Sequence, residues 1–168
     1  MPPGWQEPRR DVGRQIIWTN LIVMLALLTA PVLVQQLRGR PRQTAAAFGA
    51  ACCFVFTASG HFLIAEDMRQ MLPAWVPWRL ELVWVTGLLE LLVAAGLLAP
   101  RTRRISAWAA IAVLVVFFPA NVYAAVVHAP VGGHALGPAY LLVRAPVQLF
   151  MIGWIYATLA WPGQPRPR

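Results

Sequence analysis

The 168-residue chain has no lysine, only six acidic residues and only two cysteines. Charged residues make up 12% of it, against roughly 25% in soluble domains, which excludes an ordinary water-facing surface. Cys52 and Cys53 are neighbours within an apolar run, where adjacent helical residues point about 100° apart, and there is no third thiol to pair with. They read as small packing residues between helices, with a redox dithiol as the other reading. The sequence holds no Cys-x-x-Cys, no His/Cys cluster and no Gly-rich phosphate loop, so neither a metal site nor a nucleotide site is supported. The missing lysine, beside abundant Ala, Gly and Pro, reflects a GC-rich coding bias rather than mechanism.

What the chain does have is apolar length: 59% of its residues are hydrophobic. Five runs approach the roughly 20 residues needed to cross a bilayer core of about 30 Å as a helix. They cover 16–34, 44–64, 82–99, 105–127 and 140–160. The fold class that follows is all-α: an integral membrane four-helix bundle formed by the last four runs, preceded by an extra transmembrane helix. The domain plan is a basic segment, anchor helix and hinge over 1–43, a four-helix membrane domain over 44–161 and a short basic tail over 162–168. A cleaved signal peptide is disfavoured, because the first run is long for an h-region and no small-x-small site follows cleanly.

The connections carry the rest. The net charge of +8 lies almost entirely in short segments between apolar runs, a topology signal rather than a nucleic-acid signal. Placing the hinge Arg38, Arg40 and Arg42 inside also puts Arg101, Arg103, Arg104, Arg166 and Arg168 inside. Outside remain Arg9, Arg10, Arg14, Arg69 and Arg79. The expected location is therefore a cell (inner) membrane with the termini of the core cytoplasmic and the N-terminus outside. Residues 66–78, rich in Trp and broken by Pro73 and Pro77, read as an interfacial segment at headgroup level. Residues 128–138 read as a Gly/Pro loop, and its two histidines, His128 and His134, have no ligand spacing.

Glu90 is the costly residue. It sits inside the leucine-rich run 82–99, where insertion scales charge about 2.5–3.5 kcal/mol for Asp at a helix centre. Counting about 1.5 Å per residue places it roughly 12 Å below the outer surface. His61 lies near the outer end of its span, and Asn121 about 9 Å below the outer end of the next but one. Arg144 and Gln148, four residues apart, stack on one face of the last span's first turns. All five share the outer half of the membrane, so four spans can close around a polar pocket that opens outward. Arg144 is the expected partner of Glu90, with Asn121 and Gln148 satisfying what is left. Pro119 should free the carbonyl of Val115, and Pro146 that of Leu142 unless it sits in a first turn. The same residues can instead serve only to fix which helices meet.

Gly60-His-Phe62, Pro73 and Pro77, Thr86-Gly-x-x-Glu90, Phe118-Pro-Ala-Asn121 and Arg144-x-Pro-x-Gln148 occur in that order. The ordered set resembles the DoxX-like family of small bacterial four-helix membrane proteins and covers 45–161. The first helix departs from that pattern. The resemblance implies the membrane subunit of a quinone-linked redox complex handling thiols or sulfur compounds, with a soluble or membrane redox partner. It carries the motif positions over as His61, Glu90, Asn121, Arg144 and Gln148. On this reading a quinone is the cofactor, His61 or Glu90 the candidate catalytic proton carrier, and Arg144, Gln148 and Asn121 the binding residues. A non-enzymatic membrane assembly or partner protein is the alternative. A small proton-coupled transporter is a third reading, to which five spans without visible inverted repeats lend least support.

Overall fold

The computed structural model describes residues 7–161, which contain helices and turns but no strand. The elements are α1 (Glu7–Leu37), α2 (Arg42–Leu63), a short α3 (Ala65–Arg69), α4 (Arg79–Leu98) and α5 (Arg103–Val126). A 3-10 segment (His134–Tyr140), α6 (Leu141–Ile155) and a closing π turn (Tyr156–Ala160) follow. Four helical stretches are long and apolar enough to cross a membrane: Arg42–Leu63, Arg79–Leu98, Arg103–Val126 and His134–Ala160. The expected all-α bundle with an additional N-terminal helix is what the chain forms. The basic tail over 162–168 lies outside the described residues.

The boundaries follow local chemistry. Ala99 precedes Pro100 and adopts extended angles (φ −80°, ψ 119°), as the clash with a following proline ring demands, so α4 ends there. Two boundaries differ from the expectation. The first helix begins at Glu7, ahead of the apolar run that starts at residue 16. A helix once nucleated extends cheaply, and Pro8 in its first turn forfeits no intrahelical bond. Helical structure resumes at His134 rather than at residue 140, in a 3-10 segment broken at Gly137 (φ 73°, ψ −157°), because the 128–138 stretch closes on itself. His134 N–H donates to Val131 O (3.1 Å), and Leu136 N–H donates to Gly133 O (3.0 Å). Pro146 therefore falls in the interior of α6, which starts at Leu141, and not in a first turn.

α2 is the central helix, packed on α1 along one side and on α4 along the other. Its small residues make this possible. Gly49 lies against the backbone carbonyl of Leu28 in α1, so close that a side chain there would strike it. Cys53 packs with Leu28 and Met151, joining α1, α2 and α6, and is in no disulfide. Toward the basic hinges the bundle is dry and made of small residues: Ala47, Ala50, Ala94, Ala107 and Ala110 pack with Leu97, Ile155 and Leu159. The opposite half holds the buried His61, Glu90, Asn121 and Gln148, and Arg103 is buried at the hinge end. The outer surface is apolar, with Leu92, Val116 and Leu149 all more than 60% exposed while Glu90 is 5% exposed. That inversion of the usual pattern is what lipid as a solvent requires.

Candidate functional site

Val83, Gly87, Glu90, Ala94 and Leu97 recur every three or four residues along α4, and all are buried. This face meets α2, whose Phe54, Ala58 and His61 have the same spacing. Gly87 sets how close the helices come. A Cβ added there would lie 2.6 Å from His61 Cβ and 3.1 Å from the Phe62 ring. Absence of a side chain one turn before Glu90 is thus what lets His61 stand over the carboxylate.

His61 is held from both sides. Its Nδ1 lies 2.8 Å from Val83 O and 3.1 Å from Thr86 Oγ1. A carbonyl only accepts, so Nδ1 carries a hydrogen, and Thr86 passes its own to Leu82 O (2.8 Å) or Val83 O (2.9 Å). Nε2 is thereby aimed at Glu90 Oε1, 3.8 Å away. This is ion-pair range, beyond a direct hydrogen bond. The contact is an ion pair only when His61 is protonated. Among the described residues Glu90 Oε2 is buried without a geometric hydrogen bond. The Thr57 hydroxyl lies within reach of the Glu90 carboxylate and also meets carbonyls of its own helix, Cys53 O at 3.2 Å and Phe54 O at 3.1 Å.

The expected Glu90–Arg144 pair is not formed. Arg144 Nε donates to Asn121 Oδ1 at 3.3 Å, and Asn121 Nδ2 donates to Phe117 O at 2.9 Å. The reason is geometric: α4 faces α2 closely across Gly87, which puts an imidazole against the carboxylate first. The guanidinium of Arg144 acts on Glu90 through its charge and not through contact. Phe117 links the two groups, its carbonyl taken by Asn121 and its ring 6.2 Å from that of His61.

Gln148 stands apart from this cluster. Its Nε2 donates to Leu114 O at 2.7 Å, one turn further into the bundle than Asn121. The expectation placed a freed carbonyl at Val115; the one actually engaged is its neighbour Leu114. Pro119, inside α5, has no N–H to give Val115 O, and the neighbouring carbonyl of Leu114 accepts from α6. Of the five residues singled out, His61, Glu90, Asn121 and Gln148 are buried and Arg144 is half-buried.

Two residues that sequence reasoning set aside belong to the buried polar set. His134 is 5% exposed. Its Nδ1 donates to Val131 O at 2.9 Å, its ring meets Tyr140 edge-on at 4.8 Å, and its Nε2 is buried without a partner. The charge of Arg144 bears on it too. No spacing in the sequence marks His134, since its position depends on the 3-10 turn and on the left-handed Gly137 (φ 73°) packed against His128. Arg103, read as a solvated hinge residue, is buried instead. It closes the C-terminus of α4, with Nε on Leu97 O (3.0 Å) and Nη2 on Leu98 O (3.3 Å). The basic run that marks topology also hid a capping residue.

Among the described residues no group of three or more His, Cys, Asp or Glu side chains could hold a metal ion. The class this defines is a multi-helix protein with an apolar exterior, four helices of membrane-crossing length and a buried polar site in one half of the bundle. The chain belongs to the family described as Domain of unknown function (DUF8561), which it matches over residues 50–159. That match includes His61, Glu90, Asn121, His134, Arg144 and Gln148 and leaves out α1. No curated protein and no solved structure matches the chain.

Proposed function

We propose that this chain is the membrane subunit of a quinone-linked redox complex acting on thiols or sulfur compounds, as the DoxX-like set of motifs implies. The carrying observation is Glu90 Oε2, a buried oxygen without a geometric hydrogen bond among the described residues, beside His61. A structural ion pair has no use for an unsatisfied atom, whereas a binding site does. The residues fit a quinone head group. Arg144 is half-buried and its Nη groups have no hydrogen bond among the described residues, so it offers donors to a carbonyl oxygen. Such a head group, when bound, supplies two-electron, two-proton chemistry. His61 and Glu90 hold the exchangeable proton at Nε2 or Oε1, and the apolar shell of the bundle excludes water from it. The electrons belong to a soluble or membrane redox partner. In this reading the chain sits in a bacterial inner membrane, with the site in the outward half, the termini of the core cytoplasmic and the N-terminus outside.

The test is a purification in mild detergent followed by solvent extraction and chromatography of the extract. Copurified quinone in the wild type is expected, and Glu90→Gln or Arg144→Ala should lose it while the folded protein survives. A stable, quinone-free wild type would overturn the proposal. The second reading, a non-enzymatic assembly or partner protein, draws on the interhelical bonds Arg144–Asn121 and Gln148–Leu114. It predicts that the same two variants drop out of the membrane or unfold.

A further inference from the structure

We infer that the ligand of this site is recognised through hydrogen-bond donors of its own, so that the dihydroxy (quinol) form is held in preference to the quinone, with His134 as a binding residue. This rests on the quinone reading above and adds which redox form the protein is built to hold. The observation is a pair of buried acceptors. Glu90 Oε2 and His134 Nε2 both lack a partner, and both residues are about 5% exposed.

The acceptor character of each atom follows from what its neighbour does. As a carboxylate Glu90 accepts at Oε2, and as an acid it accepts there while its proton is on Oε1. For His134, Nδ1 contacts a carbonyl, which fixes the hydrogen there and leaves a lone pair on Nε2. Among the described residues neither atom has a donor in hydrogen-bond geometry, the Thr57 hydroxyl near Glu90 being turned to Cys53 O and Phe54 O. Arg144, whose charge bears on both residues, spends its Nε on Asn121 instead. A quinone has acceptors only and can engage Arg144 alone. A quinol has two hydroxyls and can donate to Glu90 and His134 while its oxygens face Arg144. Each donor matched to a waiting acceptor raises affinity over a ligand that lacks it.

The experiment is equilibrium binding to the full-length chain in lipid nanodiscs under anaerobic conditions. Its probes are a decyl-tailed benzoquinol and the corresponding benzoquinone. In the wild type the quinol is expected to bind about tenfold tighter, the worth of one good hydrogen bond. His134→Phe, which keeps an aromatic ring against Tyr140 but has no acceptor, should reduce that ratio several-fold with quinone affinity unchanged. His134→Gln, whose amide oxygen accepts near the place of Nε2, should restore it. Unfolding midpoints of the three proteins establish that they share one fold. Equal or tighter binding of the quinone, or a ratio indifferent to His134→Phe, overturns this inference and leaves the quinone reading standing. Binding of neither probe overturns both, and the acceptors then belong to water.

Discussion

At the scale of the residue, the carboxylate of Glu90 and the guanidinium of Arg144 occupy the same half of the bundle without touching. Each takes a nearer partner, His61 for one and Asn121 for the other. This ordering is measurable. In double-mutant cycles on unfolding free energy, His61→Ala with Glu90→Gln should couple by about 1 kcal/mol, the scale for residues in contact. Arg144→Gln with Glu90→Gln should couple less. The opposite order would mean that the guanidinium turns to the carboxylate in the membrane. Gln148 is a packing residue by its contacts, so Gln148→Leu should cost about 0.6–1.7 kcal/mol, the scale of interhelical bonds in membranes, and leave ligand binding unchanged. Loss of binding in that variant would place Gln148 in the site.

At the scale of the element, glycine and proline decide how the helices meet. Gly87 permits the approach of α2 and α4 that sets His61 over Glu90. Gly87→Val should force the two apart and destabilise the bundle by about 1–3 kcal/mol, the cost of overpacking. It should also release the histidine, seen as a changed imidazole resonance by NMR of His-labelled protein. An unshifted resonance in a destabilised protein would show that His61 is held by Val83 alone. Pro119 removes one N–H from the ladder of α5, and Leu114 O in the turn before it accepts from Gln148 of α6. Arg103 acts at an end rather than a face. Arg103→Ala should fray the last turn of α4, with faster amide exchange from Ala95 to Ala99 and none of that change near Glu90.

At the scale of the whole molecule, the two halves of the bundle do different work. The half toward the basic hinges is packed from alanines and closed by the buried Arg103, while the other half carries the buried His, Glu, Asn and Gln side chains. The orientation proposed here predicts a labelling pattern. In a background with Cys52→Ala and Cys53→Ala, Arg40→Cys and Pro130→Cys should react with a membrane-impermeant maleimide from opposite faces, Pro130→Cys in intact cells and Arg40→Cys only after lysis. Reaction of both from one face would remove the outward-opening site from consideration.

The order of the long helices was legible in the sequence, because it depends on local quantities: the length of an apolar run and the prolines that interrupt it. Counting about 1.5 Å per residue along those runs gathered His61, Glu90, Asn121 and Arg144 toward one end of the bundle. Which of them touch was decided by the tertiary structure. Attraction between opposite charges favoured Glu90 with Arg144, but contact depends on how closely two backbones approach, and the bare face at Gly87 brings α2 to α4 first. His134 and Arg103 were hidden for the same reason. A short turn and a helix end bury them, and neither leaves a periodic trace in the chain.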